Sequence, residues 1–325
     1  VLPLSYFTDL DNRIRPIVHR RIKSGKKGDD YLQILVDARL DDEIELNELD
    51  EKENHHAALT KTSLKIDQDK MIKDIESSRS TRGNLDSPSP SKPYDDDDHG
   101  AKSKQVSNFK LTEHEVISSA IFLLSVGVET TATLLTNCTY ALAFHPDIQH
   151  RLYEVIKSIA EFNSETGEYS FDYDKLTSCE YLDAVVSETL RNLAPVILAD
   201  RVVSRDCYLE ACNVQLRKGD ELHLSYYSIM NNPEYWPDPL KFDPERFMGD
   251  NKKKIVPGSY CPFGLGPRHC LGMRFSLTEA KLAVAKVLMR FKFTPVPGTS
   301  FPPECGRIHG LSNLKIPQVE IVARA

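Results

Sequence analysis

Pro262 to Gly272 reads P-F-G-L-G-P-R-H-C-L-G, and the fold of the chain turns on what so constrained a string around one cysteine can hold. Gly264 and Gly266 remove Cβ atoms where a backbone must turn tightly or lie against something flat, and Gly272 does so on the first turn of a helix predicted to follow Cys270. A cysteine at a helix start meets unpaired N–H groups and the positive end of the peptide dipoles. Both stabilise the thiolate, the form that ligates metal or attacks substrate. Arg268 adds a planar fork suited to a carboxylate.

Three readings of these residues compete: a loop with an incidental thiol, a redox or nucleophilic cysteine, and a thiolate ligand to a flat, carboxylate-bearing macrocycle, which is haem. The whole string F-G-x-G-P-R-x-C-x-G favours the third, because each constraint in it has a separate physical cause.

The rest of the chain sets bounds on that choice. Its 325 residues have globular composition and are enough for one large or two modest domains. A net charge of −7 argues against a nucleic-acid partner, which needs a basic surface to displace counterions. The seven cysteines are scattered and lack the repeated close pairs of a zinc site, so most are expected to be reduced, packed thiols. Val1-Leu2-Pro3-Leu4 shows neither signal peptide nor anchor, and the chain reads as the back part of a longer protein.

Residues 1–40 read as a helical segment. From 41 to 108 the composition turns to that of a solvated, disordered insert, with acidic runs, S-P-S-P-S-K-P and D-D-D-D. Order resumes from 109 to 325. Thr112-x-x-Glu115 is a capping box, and the run to Phe144 predicts a helix of about 32 residues, roughly 48 Å long. Its length and apolarity suit a membrane span, but Glu129 in its middle makes lipid contact costly, so a helix buried through the protein is expected. Further helices are predicted from Ile148 to Phe162, from about Ser178 to Leu193 through a second box at Thr177-x-x-Glu180, and from Leu271 to Phe291. The last takes its spacing from Phe275, Leu282, Ala285 and Leu288. Strand-like segments with a turn at Arg217 to Asp220, a proline-rich irregular stretch and a terminal strand complete the pattern.

Phe263 to Gly272 resembles the haem-binding loop of the cytochromes P450, and two further motifs carry the same resemblance. Glu188-Thr189-Leu190-Arg191 is similar to the family's E-x-x-R, which Arg246 of P-E-R-F closes into a buried triad. E-x-x-R alone is weak, since it recurs at Glu76 to Arg79 and Glu304 to Arg307. Val126 to Thr131 resembles the signature of the helix that crosses the distal haem face. The wording is most similar to microsomal members of the third P450 family and to thromboxane synthase.

The resemblance implies a mainly α chain, the C-terminal portion of the cytochrome P450 fold: long I helix, K helix, small β segments, meander, cysteine-ligand loop and L helix. Residues 1–40 then correspond to the family's G/H region. It implies haem b with Cys270 as iron ligand, Phe263, Gly264 and Gly272 shielding the sulfur, and Arg268 and Arg201 on the propionates. Glu129 and Thr130 take the proton-delivering roles, with Gly127 letting the helix open locally. Phe122, Ser125, Val126, Val196, Ile197 and Leu198 fall on substrate-lining positions.

The implied activity is a monooxygenase acting on an apolar small molecule with dioxygen, supplied with electrons by NADPH-cytochrome P450 reductase and cytochrome b5 at the cytosolic face of the endoplasmic reticulum. The implied membrane association belongs to the absent N-terminal part. Lys252, Lys253, Lys254, Arg274 and Lys281 suggest a docking face for the reductase. Two rivals stay open: an isomerase of the thromboxane synthase kind, and a fragment inactive for lack of its first half. The chain departs from the family pattern at Val126, where the family has Ala or Gly, at Pro195, one residue late, and at Leu198, which replaces a basic residue.

Overall fold

The computed structural model describes residues 4–25, 27–28, 30–37, 111–303, 305–308, 311–314 and 318–324. The acidic stretch at 41–108, with Glu76 and Arg79, lies outside the described residues, as does Glu304. The chain divides into two compact units, Val1–Phe122 and Leu123–Ala325.

In the first unit, α1 (Leu4–Ser24) and α2 (Tyr31–Asp37) pack with the first turns of α3 (Glu113–Phe144). Ile14 and Val18 of α1, one turn apart, meet Leu35, Val116 and Ile117 in a small core. The turn between α1 and α2 is clamped by Arg21, whose Nη1 and Nη2 donate to the two Asp30 oxygens at 3.1 and 2.9 Å. A Cβ at Gly28 would meet the guanidinium of Arg21, so a larger residue there displaces the arginine from its clamp. The predicted capping box forms at Thr112: its N–H donates to Glu115 Oε2 at 2.8 Å, and the Glu115 N–H donates to Thr112 Oγ1 at 3.3 Å.

In the second unit, the remainder of α3 is followed by α4 (Pro146–Ile159), which starts on a proline whose missing N–H is an orphan there in any case. The helix expected to run to Phe162 stops at Ile159. Ala160–Asn163 (β1) instead pairs antiparallel with Glu168–Phe171 (β2), because Gly167 turns at φ +68° and Asn163 Oδ1 accepts the Glu165 N–H at 2.8 Å.

The second capping box is also corrected. Thr177 is the last residue of α5 (Tyr173–Thr177) and its hydroxyl donates back to Tyr173 O at 2.8 Å, so α6 (Glu180–Asn192) starts at Cys179 without a side-chain cap. Short antiparallel pairs follow: β3 (Ala199–Val202) with β6 (Glu221–Leu224), and β4 (Cys207–Leu209) with β5 (Val214–Leu216). The expected turn between β5 and β6 closes through Asp220, whose Oδ2 accepts the Arg217 N–H at 2.8 Å.

After α7 (Tyr226–Met230) the proline-rich stretch is irregular apart from a 3-10 turn at Pro244–Phe247 and the single turn α8 (Gly249–Lys252). Helix α9 (Met273–Arg290) runs straight into β7 (Phe291–Pro295), which pairs antiparallel with the terminal strand β10 (Val319–Ala323) across a hairpin of β8 (Cys305–Ile308) and β9 (Leu311–Leu314). The core joins Leu134 to Ala143 of α3, Leu152 and Ile156 of α4, α6, and Ala280, Val284, Ala285 and Leu288 of α9. Phe275 and Leu282, expected on that face of α9, are exposed at 74% and 37%.

Candidate haem-thiolate site

The cysteine loop is tied by its own backbone. The Cys270 N–H donates to Phe263 O at 2.8 Å, the Gly264 N–H to Cys261 O at 3.0 Å, and the His269 N–H to Gly266 O at 3.1 Å. Gly264 and Gly266 hold φ of +73° and +75°, a left-handed conformation that costs any residue with a Cβ. At Gly264 a Cβ would also stand 3.0 Å from the Tyr226 hydroxyl, whereas at Gly266 and Gly272 it would meet open space. Gly272 is the N-cap of α9, so Cys270 precedes the helix by two residues instead of starting it.

Around the thiol the surface is uncovered. Cys270 and Arg268 are exposed, and Leu265, Leu271 and Phe275 expose 60%, 73% and 74% of their area. Arg268 makes no ion pair among the described residues. Half-buried Phe263 packs against the main core and fixes the near end of the loop. A thiol, an unpaired cation, an open glycine backbone and three bare apolar side chains form a donor set that fits a flat apolar ring carrying acid groups, as haem does. Arg201, half-buried on β3, donates to Asp200 O at 2.8 Å and has no acidic partner among the described residues.

Behind the loop, the structure brings Glu188, Arg191 and Arg246 together. Arg191 donates to Glu188 from Nε at 2.7 Å and from Nη2 at 2.8 Å, and Arg246 Nε stands 3.6 Å from Glu188 Oε1. Burial pushes the Glu188 carboxyl upward, opposed by the bonds and charge of Arg191, by the Asp243 N–H and by the Arg246 charge.

The α3 residues sit differently from expectation. Glu129, read as a buried acid, is exposed; Ser125 is buried; Val126 is 46% exposed. The Thr130 hydroxyl donates to Val126 O at 2.8 Å, and the helix runs unbroken through Gly127. The most apolar 18-residue window of α3 is 22% buried: the helix is covered in its first turns, where Val116 and Ile117 pack, and toward its C-terminal end, and is bare from Val126 to Glu129. It is also the one described helix long and apolar enough to cross a membrane, although Glu129 lies on its bare part.

Phe122, which ends the first unit, is 64% exposed. Val196, Ile197 and Leu198 are half-buried; Val196 packs on Ala194, Tyr226, Met230 and Cys261, and Ile197 O accepts the Tyr227 N–H at 3.1 Å.

Two expectations about surface chemistry change. Lys281 is 6% exposed, with Nζ 2.7 Å from Asp183, and so belongs to no docking face; Lys252 and Lys253 also stand against acids, Asp183 and Asp250. The burial of Lys281 was readable from its place in the Leu277, Ala280, Val284, Leu288 spacing. Of the six cysteines whose side chains are described, three (Cys138, Cys179, Cys261) are buried and three (Cys207, Cys212, Cys270) exposed, so packing is not the rule. Tyr226 was not foreseen, since nothing in the sequence links it to Gly264.

The family model for cytochrome P450 matches residues 31–318, and the chain belongs to that family, whose members bind haem b through a cysteine thiolate. It is similar to Cytochrome P450 3A16 of Mus musculus, 38% identical over 224 residues that make up 69% of this chain and 43% of that protein. Cytochrome P450 3A19 of Capra hircus aegagrus is 40% identical over 190 residues, 58% of this chain and 84% of that protein. Cytochrome P450 9e2 of Blattella germanica is 38% identical over 200 residues, 61% of this chain and 37% of that protein. The chain thus spans under half the length of the first and last of these relatives.

Proposed function

We propose that the protein is a haem-thiolate monooxygenase that inserts one oxygen atom of dioxygen into an apolar organic substrate. The observation that carries this reading is the exposed Cys270 in its glycine-turned loop, beside the unpaired Arg268, on a chain of the P450 family. Haem, when bound, supplies the activation of dioxygen. The chain's own residues bind and orient it: Cys270 Sγ as ligand, Arg268 and Arg201 as forks for its carboxylates, and Phe263, Gly264 and Gly272 around the sulfur.

Glu129 and Thr130 handle protons in this reading. The Thr130 Oγ1 proton is given to Val126 O, which leaves the oxygen lone pairs free to accept. Helix neighbours point about 100° apart, so water bridges the Glu129 carboxylate, which takes up and releases the proton, and Thr130 Oγ1, which accepts a hydrogen bond from that water. Val126, Val196, Ile197 and Leu198 supply the apolar wall that selects substrate, with Ser125 and Phe122 at the positions flanking Val126.

NADPH-cytochrome P450 reductase and cytochrome b5 are the proposed electron donors, meeting the exposed Arg274 and Lys254, and the endoplasmic reticulum membrane is the proposed location. The discriminating experiment supplies the protein with NADPH and reductase in one arm and with an organic peroxide alone in the other. Product that requires the first arm, and falls with Thr130→Ala, supports the monooxygenase. Rearrangement of the peroxide into an isomer of equal mass, without NADPH and surviving Thr130→Ala, assigns an isomerase of the thromboxane synthase kind.

A further inference from the structure

Helix α9 carries one buried cation among its apolar residues. Lys281, 6% exposed, places Nζ 2.7 Å from Asp183 Oδ1 in the first turn of α6 and donates to Thr177 O, at the end of α5, at 3.0 Å. Asp183 is also 3.8 Å from Lys252 Nζ of α8. One carboxylate therefore gathers cations from α8 and α9, as Glu188 on the same helix gathers Arg191 and Arg246.

A buried ammonium is costly to desolvate, and a methionine of similar volume would pack in its place, so its presence calls for something apolar packing does not provide. Apolar contacts between α9 and its neighbours run through Ala280, Val284, Ala285 and Leu288, and apolar contact is non-directional. Two oxygen atoms at 2.7 and 3.0 Å from one nitrogen are directional, and they fix one point of α9 along its axis. Cys270 leads into α9 through the cap at Gly272, whose carbonyl accepts the Ser276 N–H at 2.9 Å and so ties the end of the cysteine loop to the helix.

We infer that Lys281 is a positioning residue for Cys270: through Asp183 and Thr177 O it sets the axial register of α9, and hence where the cysteine loop presents its sulfur. This deepens the haem-thiolate reading and rests on it.

The test uses Lys281→Met and Asp183→Asn, singly and together, with Lys281→Arg as the conservative variant and Val284→Ala as a packing control on the same helix. One readout is amide hydrogen exchange across Ser276 to Ala280 in the haem-free chain, the first α9 amides with hydrogen-bond partners in the helix. The other is the carbon monoxide spectrum of the reduced, haem-loaded chain. Each single variant is expected to speed exchange at those amides by about tenfold, with the double variant no faster than either. In the loaded protein both lose most of the thiolate-type Soret band while still holding haem, and Lys281→Arg keeps most of it. Val284→Ala lowers the melting temperature without moving the band.

Unchanged exchange and an unchanged band in Lys281→Met overturn the inference. So does equal loss of the band in Val284→Ala, which would reduce the effect to general destabilisation. If the wild-type chain takes up no haem, the haem reading fails by itself, and the exchange rates alone decide the role of Lys281.

Discussion

Arg191 meets Glu188 through two parallel hydrogen bonds, at 2.7 and 2.8 Å, with both side chains 0% exposed. A pair so deeply buried is costly to desolvate, and what compensates it is full use of its remaining groups. Arg191 Nη1 also donates to Met230 O at 2.9 Å, Nη2 to Pro239 O at 2.8 Å, and Glu188 Oε1 takes the Asp243 N–H at 2.9 Å. The pair thus pins to α6 a proline-rich stretch that no strand ladder holds. Glu188→Gln and Arg191→Ala are each expected to cost about 3–5 kcal/mol, because either leaves a charge buried without its partner. Arg191→Lys restores little, since an ammonium cannot reproduce the fork. Urea unfolding measures this, and midpoints unchanged from wild type contradict it.

The cysteine loop yields a graded prediction. Alanine at Gly264 or Gly266 is expected to cost about 1–2 kcal/mol for the left-handed backbone. Gly264→Ala costs more, because its Cβ meets the Tyr226 hydroxyl at 3.0 Å while that of Gly266→Ala meets nothing. Adding Tyr226→Phe to Gly264→Ala recovers the difference and leaves the backbone cost. Thermal melts of the three variants beside the wild type show whether that order holds.

Thiol chemistry separates two classes of cysteine. Burial pushes the Cys138 thiol up to about 12 and raises that of Cys261 as well. Iodoacetamide on the native chain is expected to label Cys207, Cys212 and Cys270 and to spare Cys138, Cys179 and Cys261 until unfolding. Haem loading then protects Cys270 alone of the reactive three. Peptide mapping after a timed pulse reads the pattern, and native-state labelling of Cys138 at the rate of Cys207 refutes it.

Acid acts on the first unit. The Thr112 N–H and hydroxyl hold the Glu115 carboxyl below its usual range, and Arg21 with the Gln33 N–H does the same for Asp30. For a carboxyl lowered in the folded state, stability is fully present above the unfolded value of about 4 and is lost as pH falls through the folded one. Amide protection factors, taken against exchange of the unstructured chain at the same pH, should therefore fall below about pH 4 at the start of α3 and in the turn between α1 and α2. Glu115→Gln should flatten that dependence at α3; a pH profile as steep as wild type in this variant rules the capping carboxylate out as its source.

What the sequence disclosed followed how local each cause is. The α3 boundaries at Thr112 and Phe144 and the turn closed by Asp220 rest on neighbouring residues, and they were legible. The E-x-x-R at Glu188 could be told from its two copies by its helical run and by P-E-R-F downstream. The end of α4 was missed because β1 is held by its partner β2, not by its own composition. Glu129 and Phe275 were placed inside because apolar spacing says which face is apolar but not whether anything covers it. The burial of Lys281 lies in its helical register and not in its charge, and the contact of Tyr226 with Gly264 spans too much chain for any local signal.

Ligation of haem by the Cys270 thiolate is what the proposed function rests on. It is tested most directly by the absorption spectrum of the haem-loaded, dithionite-reduced chain under carbon monoxide, taken beside Cys270→Ala. A red-shifted Soret band of the thiolate type in the wild type, absent from the variant, is the predicted result. Equal haem uptake and the same unshifted band in both proteins would contradict it.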